Sequence, residues 1–184
     1  YYTVNSSFEH VIINAIDTNL NLIWSKKLSV NSLNNYIDKH ASIEIIDLGL
    51  EGLVVAGTQF NSNTYYNSSN TVLNNSNFVI KIDLLGNKVW ELNYQDQYQD
   101  NHHSASNIVG LTYDVLSQKL YILSDYYASV GLCVVSNVNT MSPSINSIIH
   151  YTSNFDQPYW SIPPKDIKFD ATDNSIMIYG RLDY

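Results

Sequence analysis

Two carboxylates and two imidazoles crowd into one short stretch, Asp96-Gln-Tyr-Gln-Asp100-Asn-His102-His103, and His40 stands in the matching segment further upstream. Adjacent histidines and carboxylates in an irregular loop can converge on zinc. No ligand spacing of a structural or hydrolytic zinc site accompanies them. The stretch therefore reads first as a solvated polar loop, and no metal is assigned. Asp170 and Asp173 form another close carboxylate pair. Their spacing suits a narrow turn, where each carboxylate accepts backbone N–H bonds, better than an acid and base facing each other across a cleft. Cys133 is the single cysteine, set in Leu132-Cys133-Val134-Val135. No internal disulfide can form, and the apolar surroundings point to a buried, inert thiol.

A second chemistry is written in the aromatic residues. Tyrosine occurs 15 times against 5 phenylalanines, the choice of a wet aromatic surface, because the hydroxyl tolerates water while the ring supplies contact area. Tyr65, Tyr66, Tyr98, His102, His103, Tyr159 and Trp160 lie among Asn, Gln, Asp and Ser. Such rings can stack on sugar faces, and the amides beside them can bond hydroxyls; the same chemistry serves protein recognition. These seven are the candidate ligand-binding residues, joined more loosely by Tyr36 and His40. The plainer alternative is that several of the rings cover sheet edges.

The elements that must position them follow from an internal repeat. Asp83 follows Asp17, and Trp90 follows Trp24, by the same 66 residues. Phe78-Val-Ile-Lys-Ile-Asp83 thereby restates Val11-Ile-Ile-Asn-Ala-Ile-Asp17. Between these copies recur pairs of short runs rich in Val, Ile, Leu and Tyr: Ser42 to Asp47 with Gly52 to Gly57, Asn107 to Asp114 with Lys119 to Ser124, and Asp166 to Asp170 with Ser175 to Gly180. Gly131 to Asn137 takes the place of Phe78 to Asp83, although its partner strand lacks the tryptophan. Runs of this length and composition, bounded by Asn, Asp, Gly and Ser, are strands joined by tight turns. Asp83-Leu-Leu-Gly86-Asn87 fits a hairpin whose aspartate caps the turn while Gly86 takes the positive φ. Asp17 to Asn21 is the same turn with asparagines in place of glycine, Leu20 aligning with Gly86.

The strand, Asp83, Gly86, Asn87 and Trp90 element resembles the β-propeller repeats of bacterial secreted and surface proteins, including the quinoprotein-like type. The resemblance implies radially arranged four-stranded blades and binding or scaffolding roles, and no quinone or metal motif accompanies it. Read this way, the chain is all-β, with about three four-stranded blades of a larger β-propeller. The approximate repeat units are 1–28, 29–94, 95–151 and 152–184 of one domain. A β-sandwich is the alternative. Because a propeller needs at least about four blades to close, the chain is expected to be part of a longer one, or to find its remaining blades on other subunits.

Nearly all the length variation falls on one face of this arrangement. It lies in the insertion from Asn61 to Asn77 and the connectors Ser29 to Ala41, Gln95 to Ala105 and Thr152 to Lys165. Loops this long are commonly functional. Charged residues make up only 14% of the chain and the net charge is −8. A phosphate backbone would be repelled, which excludes nucleic acid as a partner. Amide and hydroxyl surfaces in place of Lys and Glu point to an extracellular or cell-surface location. No apolar run is long enough to span a membrane as a helix. Asn5, Asn67 and Asn74 begin Asn-x-Ser sequons in expected loops, glycan sites only in a eukaryotic secretory pathway. The expectation is a non-enzymatic binding or scaffold module that takes a protein or glycan and needs no cofactor. The alternative is a fragment of a glycan-cleaving or redox propeller enzyme. A hydrolase would need carboxylates converging on the innermost strands, where Glu44, Asp47 and Asp114 stand without a repeated acidic position.

Overall fold

A computed structural model describes residues 2–7, 10–30, 35–36, 43–61, 76–94, 107–126, 129–152 and 164–180. They form fourteen strands in four antiparallel sheets, with a 3-10 turn at Gly49–Glu51. The first sheet holds β1 (Tyr2–Ser7), β2 (His10–Ile16) and β3 (Leu22–Ser29). In the second, β5 (Ile43–Asp47), β6 (Leu53–Asn61), β7 (Ser76–Ile82) and β8 (Lys88–Tyr94) run as a meander, and the short β4 (Asn35–Tyr36) pairs with the end of β6. The third repeats the meander with β9 (Asn107–Asp114), β10 (Lys119–Tyr126), β11 (Ser129–Ser136) and β12 (Ser144–Thr152). The fourth holds β13 (Pro164–Asp170) and β14 (Ser175–Gly180). The strand pairs read from the sequence are all present. One expectation fails: Asn5 is not in a loop but within β1, opposite Ile12, because antiparallel pairing to β2 continues up to Ser7 and His10.

Strand periodicity sorts side chains between neighbouring sheets. Antiparallel sheets often leave one face to water, but the two middle sheets are buried on both. Along β6, Leu53 and Val55 pack with Val11, Ile13 and Leu28 of the first sheet. Val54 and Ala56, pointing the other way, pack with Ile108, Leu120, Ile122 and Cys133 of the third. On the far side of the third sheet, Leu123 and Leu132 meet Ile167 of β13. The sheets are thus stacked in chain order. The first strands of successive meanders lie side by side, β5 next to β9 and β9 next to β13. Phe169 N donates to Thr112 Oγ1 across the second of these junctions at 2.9 Å. Cys133 is buried in β11, without a disulfide.

The repeated tryptophans join the sheets in the same way twice. Trp24 of β3 donates its Nε1 hydrogen to the carbonyl of Leu84, in the turn between β7 and β8, at 3.1 Å. Trp90 of β8 does the same to Val138, in the turn between β11 and β12, at 3.0 Å. Each large ring lies against the next sheet with its polar atom satisfied. Beside Trp90, the buried Lys81 donates to Asn139 Oδ1 at 3.0 Å and faces the Glu51 carboxylate at 3.7 Å. Burial pulls its ammonium below the ordinary lysine value, and Glu51 partly offsets this.

The two aspartate turns are atomically alike. Asp17 Oδ1 accepts from the Asn19 and Asn21 backbones, and Oδ2 from the Asn21 side chain. Asp83 Oδ1 accepts from Leu85 and Asn87, and Oδ2 from the Asn87 side chain. The left-handed residue is Gly86 at φ 80° in one and Leu20 at φ 67° in the other. Leu20 thus holds the place of Gly86, as their alignment in the sequence has it, and neither asparagine of the first turn takes the left-handed position. A Cβ resists that region, so Leu20→Gly is expected to stabilise the fold by about 1 kcal/mol. Leu20 is 80% exposed, so little packing is lost, and a rise in the urea midpoint at constant m value is the readout.

Candidate functional site

The segments 37–42, 62–75, 95–106 and 153–163 all attach at one end of the stack, where β6 ends and β5, β7, β9 and β13 begin. At that end the apolar pattern of the strands gives way to polar residues. Thr58 Oγ1 donates to Asn77 Oδ1 at 3.0 Å, and Ser76 Oγ to Gln59 Oε1 at 3.3 Å. Thr58, Gln59 and Asn77 are at most 1% exposed, as is Ser124 at the same end of β10. Each amide accepts one bond but has a second polar atom to satisfy. Gln59 Nε2 and Asn77 Nδ2 are buried without a hydrogen-bond partner among the described residues. Unpaired buried amide donors are costly and uncommon in native structures. The opposite end of the stack is built differently, from tight turns whose aspartates are saturated by their own backbone.

The innermost strands bring together carboxylates that the sequence spacing concealed. Ile43 and Ile45 pack toward the first sheet, which turns Glu44 of β5 to the side of β9. On the other flank of β9, Asp166 of β13 stands opposite Tyr179 of β14, just after a register shift that follows Pro164. Between them stands Gly110, where an added Cβ would lie 3.2 Å from Asp166 Oδ1. No side chain at Gly110 separates the two acids. Glu44 is half-buried, and its carboxyl is raised, first by desolvation and then by the Asp166 charge. The expectation that the inner strands lack a recurring acidic position is therefore corrected: Glu44 and Asp166 take up matching places on strands that both flank β9. Asp125, near the end of β10, is also raised by burial, with Lys165 pulling the other way.

Of the residues singled out from sequence, Tyr65, Tyr66, Tyr98, His102, His103, Tyr159, Trp160, Asn67 and Asn74 lie outside the described residues, as do Asp96, Asp100 and His40. The described residues contain no group of three or more His, Cys, Asp or Glu arranged to hold a metal. Asp170 and Asp173 are turn residues as expected: they accept from the backbones of Thr172 at 2.8 Å and Ser175 at 3.0 Å. No helix among the described residues is long and apolar enough to cross a membrane. Sequence reasoning missed the buried polar end of β6 and β7 altogether. The signal was present as Thr58-Gln59 and Ser76-Asn77, polar pairs continuing two apolar strands before the long insertion.

These groups give stability a two-sided pH dependence. Bonds from Asn21, Asn87, Ser117 and Thr172 hold Asp17, Asp83, Asp114 and Asp170 respectively below the ordinary aspartate value. Their contribution is complete above the unfolded value of about 3.9 and is lost as pH falls through the lower native values. Glu44 and Asp125 act in reverse. The folded protein takes up their protons more readily than the unfolded chain, so stability grows as pH falls from neutral through their raised values. The urea midpoint is expected to peak on the mildly acidic side, above about pH 4, and to drop below it. A steady decline from pH 7 downward would contradict the burial assigned to Glu44 and Asp125.

No protein-family model matches the chain, and no curated protein matches its sequence.

Proposed function

We propose that the chain is a segment of a β-propeller that works as a non-enzymatic, extracellular binding module. In this reading the four stacked sheets are blades, and β5, β9 and β13 run along the central axis. The stacking order, the neighbouring inner strands and the repeated tryptophan contact all favour blades over the two facing layers of a sandwich. The ligand is a glycan or a protein surface, held by Tyr65, Tyr66, Tyr98, His102, His103, Tyr159 and Trp160 in the long segments of one face.

The observation that carries the reading is the pair of buried amide donors, Gln59 Nε2 and Asn77 Nδ2, which have no hydrogen-bond partner among the described residues, at the end from which those segments leave. Such unpaired donors carry a cost that an apolar core would have avoided, and they mark this as the polar end of the stack. A glycan array of neutral and acidic oligosaccharides tests it. Binding is expected, with affinity lost in Tyr65→Ala/Tyr66→Ala while the melting temperature stays the same. An array with no binder at all, or binding untouched by substitution at all seven residues, would defeat the glycan reading.

A second reading is favoured by Glu44 and Asp166. A raised carboxyl beside an exposed carboxylate is the arrangement in which one acid protonates a leaving group and the other acts as base or nucleophile. Here the chain would belong to a glycan-cleaving enzyme with the rest of its site elsewhere. Release of reducing ends from an oligosaccharide retained on the array, abolished in Glu44→Gln, would establish it in place of simple binding.

A further inference from the structure

Lys81 is the one buried cation among the described residues, and the repeat shows that the fold does not require it. Lys81 stands opposite Trp90 at the place where the first sheet has Ala15 opposite Trp24. A small apolar residue closes that junction without a charge. Just after the carbonyl that accepts each indole, the turn of the next sheet continues with Leu85 at the first junction and Asn139 at the second. Lysine and asparagine therefore enter together, at one junction, on facing elements 58 residues apart in sequence. Burying an ammonium is costly. The carboxylate that faces it, Glu51 at 3.7 Å, keeps half of its own side chain in solvent.

An amine held against a carboxamide, with a carboxylate beside it, is a set of groups that can form an amide. We propose that Lys81 and Asn139 join in a covalent isopeptide bond, Lys81 Nζ to Asn139 Cγ, with Glu51 as the proton carrier. The 3.0 Å contact between Nζ and Oδ1 sets the nucleophile against the carbonyl whose carbon it attacks. Glu51 first takes a proton from the ammonium, a transfer that burial favours because it removes charge from a desolvated site. The neutral amine adds to Cγ and forms the Nζ–Cγ bond. The Cγ–Nδ2 bond then breaks. Glu51 returns a proton to the departing nitrogen and accepts one from Nζ, so that ammonia leaves and a secondary amide remains. The exchange of one amide for another is redox-neutral and needs no co-reactant. The Tyr113 hydroxyl is buried beside Asn139, where it can donate to the carbonyl oxygen as that atom gains negative charge. The product ties β7 to the turn between β11 and β12, across two sheets of a chain whose single cysteine leaves no internal disulfide to do so. Closing a loop of this length restricts the unfolded chain as a disulfide does.

The inference depends on neither reading of function. The intact mass of the full 184-residue chain is expected to fall short of the sequence mass by one ammonia. A tryptic digest is expected to yield a branched peptide joining Lys81 to Asn139 in place of two linear ones. Glu51→Gln, a change at a half-exposed turn residue, and Asn139→Ala are each expected to restore the sequence mass, with an unchanged far-ultraviolet spectrum and a lower melting temperature. The parent mass decides the matter whether or not either variant folds. Full sequence mass, with Lys81 and Asn139 recovered in linear peptides, would overturn the bond. An ammonia loss confined to one linear peptide, the mark of an asparagine cyclised on its own backbone, would overturn it equally. A branched peptide formed as fully in Glu51→Gln would remove Glu51 from the chemistry.

Discussion

Trp90→Ala is expected to lose about 3–5 kcal/mol of stability, the largest effect of any side-chain truncation between the second and third sheets. Trp90 is 7% exposed within the cluster that unites β6, β7, β8, β9, β10 and β11. Removing the indole leaves a large cavity, and it also strips the donor from Val138, a fully buried residue. Trp90→Phe separates the two contributions. It keeps most of the ring and orphans the carbonyl, for an expected loss of about 1–3 kcal/mol. Trp24 makes the same hydrogen bond to Leu84 but is only partly buried, so Trp24→Ala is expected to cost about half as much as Trp90→Ala. Urea denaturation of the three variants decides the matter. Equal losses at the two tryptophans would show that burial of the ring is not what holds neighbouring sheets together.

Gly52→Ala is expected to be nearly as damaging, at about 3 kcal/mol or more, although it adds only a methyl group. Gly52 closes the turn between β5 and β6 at φ 91°, in a region natural to glycine. An added Cβ would sit 2.0 Å from the carbonyl oxygen of Ile82, a backbone atom at the end of β7. That oxygen cannot swing aside without moving the strand. Gly86→Ala provides the control. Its φ of 80° carries similar strain, but the nearest obstacle is the Lys26 side chain at 2.7 Å, which can rotate away. It is expected to lose about 1–2 kcal/mol. If Gly52→Ala proved the milder of the two, the close approach of the turn to β7 would be wrong.

The local grammar of this chain was legible residue by residue. Asp83, Gly86, Asn87 and the 66-residue offset placed a hairpin that the structure reproduces down to both oxygens of the aspartate. The same offset aligned Leu20 with Gly86, and the structure adds how a leucine is held there: a turn with three bonds to Asp17 can impose a left-handed backbone on a residue that would not choose it. The polar row at Thr58, Gln59, Ser76 and Asn77 also escaped notice. Its meaning lies in burial, which pairs of polar residues at strand ends do not reveal.

By itself the sequence determined strands, turns and the pairing of neighbours, because alternation, turn residues and capping aspartates act over a few residues and recur with the repeat. Only the tertiary structure decided which face of each strand meets which sheet, and hence that Glu44 and Asp166 come to flank Gly110. Strand parity is set by turn length and by bulges such as the register shift between β9 and β10, where Leu123 and Ser124 of β10 face Gly110 and Ile108 of β9. A one-residue change there sends a carboxylate to the opposite face. The stacking that then places distant strands side by side is a contest of buried area among whole sheets, and no local spacing carries it.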